Sequence, residues 1–195
     1  MLDFMDEAVD SLCNTDRWST YSVVKPNNVA QHSFVVAHIA YQIAAELDDC
    51  DEDEVVKRAL FHDLEEFHTG DMPRFSKRGD ASFADSLEDV ESDAMGNLLG
   101  KSHMSDEVAS EVERLWKSSK DDSVEGKVLK QADILSAVYD IYREINRGNK
   151  KIKEYDDVVR GIEYAIELCE GTPIAEDFLE EMLAKMDWED GFRKN

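Results

Sequence analysis

The residues of this chain most able to do chemistry are an adjacent histidine and aspartate, His62 and Asp63. A second histidine, His32, lies upstream, and a second aspartate, Asp133, lies far downstream, both within helical patterns of apolar residues. Burying a carboxylate without a cation is costly, yet both aspartates interrupt apolar helical faces. Imidazole nitrogens and carboxylate oxygens are together ligands for a divalent metal ion. The four residues therefore predict a metal site and point to phosphate-ester chemistry.

The donor types do not choose among Co, Mn, Mg, Zn and Fe. An ion held by these four residues would polarise a phosphoryl oxygen and lower the pKa of water. Glu66 follows His62 by one helical turn and is expected on nearly the same face, where it could hold a water or relay a proton. The alternatives are a hydrogen-bonded core residue for each histidine taken singly, and an exposed side chain for Glu66.

Helices must position these residues, because only 3 prolines and 9 glycines punctuate the 195 residues. The length and the 42% hydrophobic content predict a single all-α domain over residues 1–195, a bundle of about seven or eight helices. Asn28 is expected to cap the second helix, and the segment from Thr69 to Pro73 to end the third. The apolar periodicity predicts helices over 1–16, 29–47, 54–68, 83–100, 105–119, 124–147, 154–170 and 173–187.

The charge of the chain limits its partners. With 45 acidic against 22 basic residues, its formal net charge is -23, which argues against binding a nucleic-acid polymer over a broad surface. An anionic substrate would need a local cluster of metal and cations. The acidic excess could be an adaptation to salt or could simply keep the protein soluble.

The cysteines and the apolar segments bear on location. The three cysteines are far apart and form no CxxC pair, so a reduced, cytoplasmic protein is expected. The N-terminus has neither the basic nor the apolar region of a signal peptide. No apolar run approaches the roughly 20 residues that cross a bilayer, so no membrane association is expected.

Five motifs resemble those of one family. They are Arg17-Trp18, the segment from Asn28 to Ser33, His62-Asp63-x-x-Glu66, the segment from Thr69 to Pro73, and the segment from Lys130 to Asp133. In order and spacing they resemble the HD-domain superfamily of metal-dependent phosphohydrolases, and within it the bacterial 5'-deoxynucleotidases. The resemblance is best between Arg17 and Gly148. It implies an HD-domain fold, a deoxynucleotide substrate and, as is common among the relatives, a homodimer.

The resemblance also implies roles for individual residues. His32, His62, Asp63 and Asp133 would hold the divalent ion, and Glu66 would position or deprotonate the attacking water. Arg17 would orient the phosphate, and Asp71 would contact the substrate near the sugar or the leaving oxygen. Trp18 would crowd a 2'-hydroxyl and so favour deoxyribose. The remaining substrate contacts are expected from Met72, Pro73, Arg74 and Lys77.

One segment departs from the family. Arg74 follows Pro73 where close relatives have a small hydroxyl residue, and Lys77 and Arg78 come next. These cations could form a solvated turn, or could meet extra phosphates and make the protein a deoxynucleoside triphosphate hydrolase. A catalytically inert nucleotide-binding HD module and a cyclic-nucleotide or alarmone hydrolase are the weaker alternatives.

Overall fold

The computed structural model describes residues 1–77 and 79–188, and of Arg74 and Phe75 only the backbone. Within this part no strand occurs, and an isolated bridge pairs Asp16 with Asn28. The all-α prediction is confirmed. The first helix, α1, comprises Leu2–Phe4, a π-helical turn Met5–Val9 and Asp10–Asn14. The other longer helices are α2 Val29–Ala44, α3 Glu52–Phe61, α4 Ala81–Lys101, α5 Asp106–Lys117, α6 Val124–Asn146, α7 Asp156–Cys169 and α8 Pro173–Lys185. Short helical segments are Glu66–Thr69, Arg74–Lys77 and the 3-10 turn Lys150–Glu154.

Helix α2 begins where the sequence predicts, at a capping box. The Asn28 side chain accepts a hydrogen bond from the Gln31 backbone at 2.8 Å, and the Gln31 side chain accepts one from the Asn28 backbone. The helix buries Val36 and Ile43 against the core, and His32 lies on this same buried face. The cap therefore fixes the start of the helix that carries the first site histidine.

The prediction of a single helix over 54–68 is wrong. Helix α3 ends at Phe61, a tight turn follows, and a new short helix begins at Glu66. Two backbone hydrogen bonds between residues three apart, as in a 3-10 helix, make the turn. Leu64 N donates to Phe61 O at 3.1 Å, and Glu66 N donates to Asp63 O at 3.2 Å. On a continuous helix adjacent side chains point about 100° apart. The break frees His62 and Asp63 from that restriction and lets both face one point.

Helix α6 is the central element of the bundle. Ser123 caps it, accepting from Gly126 N at 3.1 Å, and its apolar face buries Leu129, Leu135 and Val138. It packs against α2, α3, α7 and α8, so it brings Asp133 beside the residues carried by α2 and by the turn after α3. No helix within the described residues is long and apolar enough to span a membrane.

Candidate metal centre and active site

The two histidines and two aspartates singled out from the sequence lie together. One ligand atom from each of His32, His62, Asp63 and Asp133 can be chosen so that all four lie within 4.8 Å of one another. His32 Nε2 is 3.0 Å from Asp133 Oδ1 and 3.4 Å from Asp63 Oδ2, and His62 Nε2 is 2.9 Å from Asp63 Oδ2. Both imidazoles are buried, and the carboxylates open toward a cavity. Three separate elements thus supply one cluster of nitrogen and oxygen donors.

The orientation of the imidazoles fits a metal ion between these atoms. His62 Nδ1 lies 2.9 Å from the carbonyl of Ala59, which can only accept, so Nδ1 carries the proton. The neutral ring then has no hydrogen on Nε2, so the Nε2 lone pair faces Asp63 Oδ2. Both atoms are hydrogen-bond acceptors, and no hydrogen lies between them. His32 Nδ1 lies 3.1 Å from Ser136 Oγ, which orients the second ring. A divalent cation would satisfy these facing lone pairs, so the donor set fits such an ion.

Lys120 is a site residue that the sequence analysis missed. Its Nζ lies 2.9 Å from Asp133 Oδ2 and 3.2 Å from Asp63 Oδ1. Burial opposes ionisation of both carboxyls, but the charge of Lys120 helps to hold the pKa of Asp63 well below its usual range. Lys120 and the His32 hydrogen bond do the same for the pKa of Asp133. The only sequence signal was a lysine in a strongly acidic chain.

The loop that presents Lys120 is fixed by buried Arg58. The Arg58 guanidinium donates to the Ser118 carbonyl at 2.8 Å and to Asp121 Oδ1 at 3.1 Å, on either side of Lys120. Asp121 also accepts from the Ser123 hydroxyl that caps α6. A Cβ on Gly126 would lie 2.8 Å from Asp121 N and closer still to its carbonyl oxygen, so only glycine fits beneath the loop. The loop therefore holds Lys120 over the two aspartates.

Glu66 is buried beside this cluster. Its Oε1 accepts a hydrogen bond from Lys77 Nζ at 3.1 Å, whereas its Oε2 has no hydrogen-bond partner within the described residues. Burial and the nearby Asp63 raise the pKa of Glu66 well above its usual range, against the opposing charge of Lys77. Neighbouring Glu65 accepts from Trp116 Nε1 at 2.7 Å, and burial raises its pKa to about 7. Glu66 thus has a buried carboxylate oxygen without a hydrogen-bond partner among the described residues.

Arg17 and Trp18 are held by two aspartates. Arg17 Nε donates to Asp71 Oδ1 at 3.4 Å, and the Trp18 backbone N–H donates to Asp71 Oδ2 at 3.4 Å. Trp18 has a φ of 63°, a strained conformation for a bulky residue. Its indole N–H donates to Asp140 Oδ2 at 3.3 Å. Asp140 was also missed, although it follows Asp133 by two helical turns and likewise interrupts the apolar face of α6.

A cavity of about 250 Å³ joins these groups. Its polar end holds the clustered carboxylates and cations, and its other end, between α6 and α7, is mostly apolar but includes Asp157. Arg78 and the side chain of Arg74 lie outside the described residues, so the predicted contact of Arg74 stays a prediction. The expected site residues that line the cavity are Arg17, Trp18, Asp63, Glu66, Asp71, Met72, Pro73, Lys77 and Asp133.

The structure decides the role of two apolar residues in the last two helices. From the sequence, Ile162 and Leu179 could equally serve a subunit interface or close the core. Both are buried in the main core cluster, so they close the core. Their periodic spacing is the same for either purpose, because an apolar stripe does not specify what covers it.

Comparison with known proteins identifies the family. The model of the YfbR-like 5'-deoxynucleotidases matches residues 4–186. A 5'-deoxynucleotidase of Photobacterium profundum is 30% identical over 171 residues, 84% of each chain, and one of Pasteurella multocida is 27% identical over 150 residues, 74% of this chain and 76% of the relative. An HD-domain phosphohydrolase structure from Listeria innocua has 25% identity and a TM-score of 0.77, covering 100% of this chain and 90% of that one. An HD phosphohydrolase of cyanophage S-2L, bound to dA and a catalytic Zn²⁺ ion, shares the fold at a TM-score of 0.60 and 18% identity, covering 97% of each chain. The chain is thus an HD-domain hydrolase and belongs to the YfbR-like 5'-deoxynucleotidase family.

Proposed function

We propose that this chain is a phosphoric monoester hydrolase that removes the phosphate from deoxynucleoside 5'-monophosphates. The observation that carries the proposal is the position of the Arg17-Trp18 pair and Glu66 on the cavity into which Asp63 and Asp133 open. Family membership and the names of the relatives support the same reaction. Water attacks phosphorus, the bond to the 5'-oxygen breaks, and the products are a deoxynucleoside and inorganic phosphate.

His32, His62, Asp63 and Asp133 are proposed to hold the divalent ion. When bound, the ion supplies Lewis-acid stabilisation of charge on a phosphoryl oxygen and makes water more acidic. Two imidazoles and two carboxylates suit Mn, Fe, Co or Zn, and less closely Mg. The Ala59 carbonyl and the Ser136 hydroxyl fix the imidazole orientations that this role requires.

Glu66 is proposed to take the proton from the attacking water. Its raised pKa suits a group that must accept a proton near neutral pH. The Oε2 atom, which has no hydrogen-bond partner among the described residues, is the proposed proton acceptor, while the bond from Lys77 to Oε1 keeps the carboxylate from turning. The leaving 5'-oxygen takes a proton from water or through Asp71.

Arg17 and Lys120 are proposed to bind the phosphate. The planar guanidinium of Arg17 matches phosphate oxygens, and Asp71 orients it. Lys120 neutralises the two aspartates in the metal-free protein. With a divalent ion held by the two aspartates, Lys120 would no longer be needed to neutralise them, and its charge would be left for the substrate. Trp18 is proposed to pack on the sugar at its 2' position, and Met72 and Pro73 to close the cavity beside it.

The ion pairs of Lys77 favour a monophosphate over a triphosphate substrate. Its Nζ lies 3.1 Å from Glu66 Oε1 and 3.7 Å from Glu91 Oε1, and its side chain is only 24% exposed. A lysine committed to two carboxylates is not presented to the distal phosphates of a longer chain. Its contribution to substrate binding is therefore proposed to be indirect, through the position of Glu66.

A product assay tests the proposal. The chain supplied with Mn²⁺ or Co²⁺ should release inorganic phosphate from dAMP, and release of triphosphate or pyrophosphate from dATP would contradict the monoester assignment.

Glu66→Gln should bind Mn²⁺ normally and turn over at least ~100-fold more slowly. Glu65→Gln is the matched control, because Glu65 is equally buried but bonded to Trp116. Equal losses in both variants would refute the role of Glu66.

We further propose a single cytoplasmic domain that forms a homodimer. The match over residues 4–186 supports one domain, and the three free thiols support a reducing compartment. Exposed Phe34 and Tyr41, two turns apart on α2, offer an apolar face for a second copy. Light scattering of the protein and of Phe34→Glu tests the dimer, which the substitution should dissociate.

A further inference from the structure

We infer that the apolar end of the cavity is a base subsite that selects guanine, with Asp157 as the recognition group and Gly161 as the space for the ring. This inference rests on the proposed function, which places the phosphate at the opposite end. The base identity is fixed neither by the metal cluster nor by Trp18, so it needs a separate set of residues.

Helix α6 gives the direction of the cavity. Asp133 stands at the metal cluster, and Ile134, Ala137, Val138 and Ile141 line the cavity after it. This spacing keeps them on one face of the helix and carries the cavity about 12 Å from Asp133, at 1.5 Å per residue. The wall is apolar for its whole length, as suits the faces of a sugar and a base but not a phosphate.

Helix α7 forms the facing wall and contains an unexplained glycine. Gly161 lies inside this helix, where glycine is the least favourable residue after proline. A Cβ at this position would meet nothing within 4 Å, so protein packing does not require glycine here. Gly161 also lines the cavity. The glycine widens the slot opposite α6, and a planar ring is an occupant that would use this width.

Asp157 stands one turn before Gly161 and is connected to the sugar end of the site. Tyr21 O–H donates to Asp157 Oδ2 at 3.2 Å, and the Tyr21 ring meets the Trp18 ring edge-on at 5.3 Å between centroids. An Arg160 nitrogen lies 3.9 Å from the other oxygen, Oδ1. From the metal cluster outward the cavity thus presents Arg17, then Trp18, then Tyr21 with Asp157, the order of phosphate, sugar and base.

A carboxylate recognises guanine better than the other bases because it only accepts hydrogen bonds. Guanine alone presents two adjacent donors on one edge, its N1–H and its amino group. Adenine and cytosine place a ring acceptor beside the amino group, and thymine flanks its single N–H with two carbonyls. Each of these would set an acceptor against an oxygen of Asp157. We therefore expect dGMP to be the preferred substrate.

Asp157→Asn tests the recognition group. The asparagine amide offers one donor and one acceptor, a pattern that adenine can pair with. In the Mn²⁺-loaded native protein, kcat/KM should be at least about tenfold higher for dGMP than for dAMP. In the variant the ratio of these two values should fall by about tenfold or more. Calorimetric titration with each nucleotide measures binding independently of turnover.

Gly161→Leu tests whether the base occupies the space beside Gly161. The leucine should raise the melting temperature, because it replaces a helical glycine, and should weaken dGMP binding by at least about tenfold. Gly96→Leu, in α4 and likewise free of neighbours within 4 Å, is the matched control that should change stability alone. A variant that is more stable but binds dGMP more weakly has lost a ligand site, because a damaged fold would lower stability and binding together.

The outcomes distinguish the two proposals. Hydrolysis of all four deoxynucleotides at equal efficiency, unchanged by Asp157→Asn and Gly161→Leu, would overturn the guanine subsite and leave the hydrolase intact. A preference for another base that Asp157→Asn does not alter would overturn the assignment equally. If no deoxynucleotide is hydrolysed and none binds, both proposals fail together.

Discussion

Replacing Lys120 with methionine should affect metal and substrate in opposite directions. Methionine keeps most of the apolar stem and removes the charge that lies 2.9 Å from Asp133 and 3.2 Å from Asp63. In the metal-free protein that charge competes with the ion for both carboxylates, so its loss should tighten metal binding. With the ion present the same charge faces the phosphate, so its loss should weaken substrate binding.

The distances set the size of the effect. At about 3 Å each ion pair amounts to roughly 5 kcal/mol for an effective dielectric constant of about 20. The Lys120 side chain is 35% exposed, so solvent screening leaves only a fraction of this. We take about 1.4 kcal/mol in each direction, which corresponds to a tenfold tighter Kd for Mn²⁺ and a tenfold higher KM.

Calorimetric titration with Mn²⁺ and steady-state kinetics on dGMP measure the two effects. Lys117→Met is the matched control, since that lysine pairs with Glu113 on the exposed surface of α5 and should change neither constant. A parallel loss of metal and substrate affinity in Lys120→Met would refute the reasoning, because it would show that the lysine only holds the loop together. No change in either constant would refute it as well.

Three further predictions concern other parts of the structure. Trp18→Ala should lower the preference for dAMP over AMP by at least about tenfold in kcat/KM, since no side chain would then crowd the 2'-hydroxyl; an unchanged ratio would exclude the steric explanation. Gly126→Ala should reduce the free energy of unfolding by about 1–3 kcal/mol, measured in urea, because the new methyl group would collide with the backbone of Asp121. Arg114 lowers the pKa of Glu54 to about 2, so the stability that this carboxylate contributes is present above its unfolded pKa near 4.5 and is lost as the pH falls toward 2. The native protein should lose about 2 kcal/mol more of its free energy of unfolding between pH 5 and pH 2 than Glu54→Gln does. An equal loss in both proteins, measured by unfolding at each pH, would contradict the prediction.

The sequence was sufficient for features that depend on neighbours along the chain. The apolar periodicity placed α6 within one residue of its observed bounds, Val124–Asn146, and the capping box located the start of α2. The polar residues that interrupt apolar faces indicated Asp63 and Asp133, because burying such groups requires a partner wherever they lie. These signals are local in origin, so they can be recognised without knowing what packs against them.

The tertiary structure decided what lies opposite each residue. The break after Phe61 replaces a helix that the local pattern favours with a turn that lets His62 and Asp63 converge. Lys120 becomes part of the site only because buried Arg58 fixes its loop, and Asp140 only because α6 passes beside Trp18. Periodicity fixes the direction of a side chain about its own helix axis. Which side chain of another element meets it depends on how the helices pack together, and that packing is a property of the whole chain.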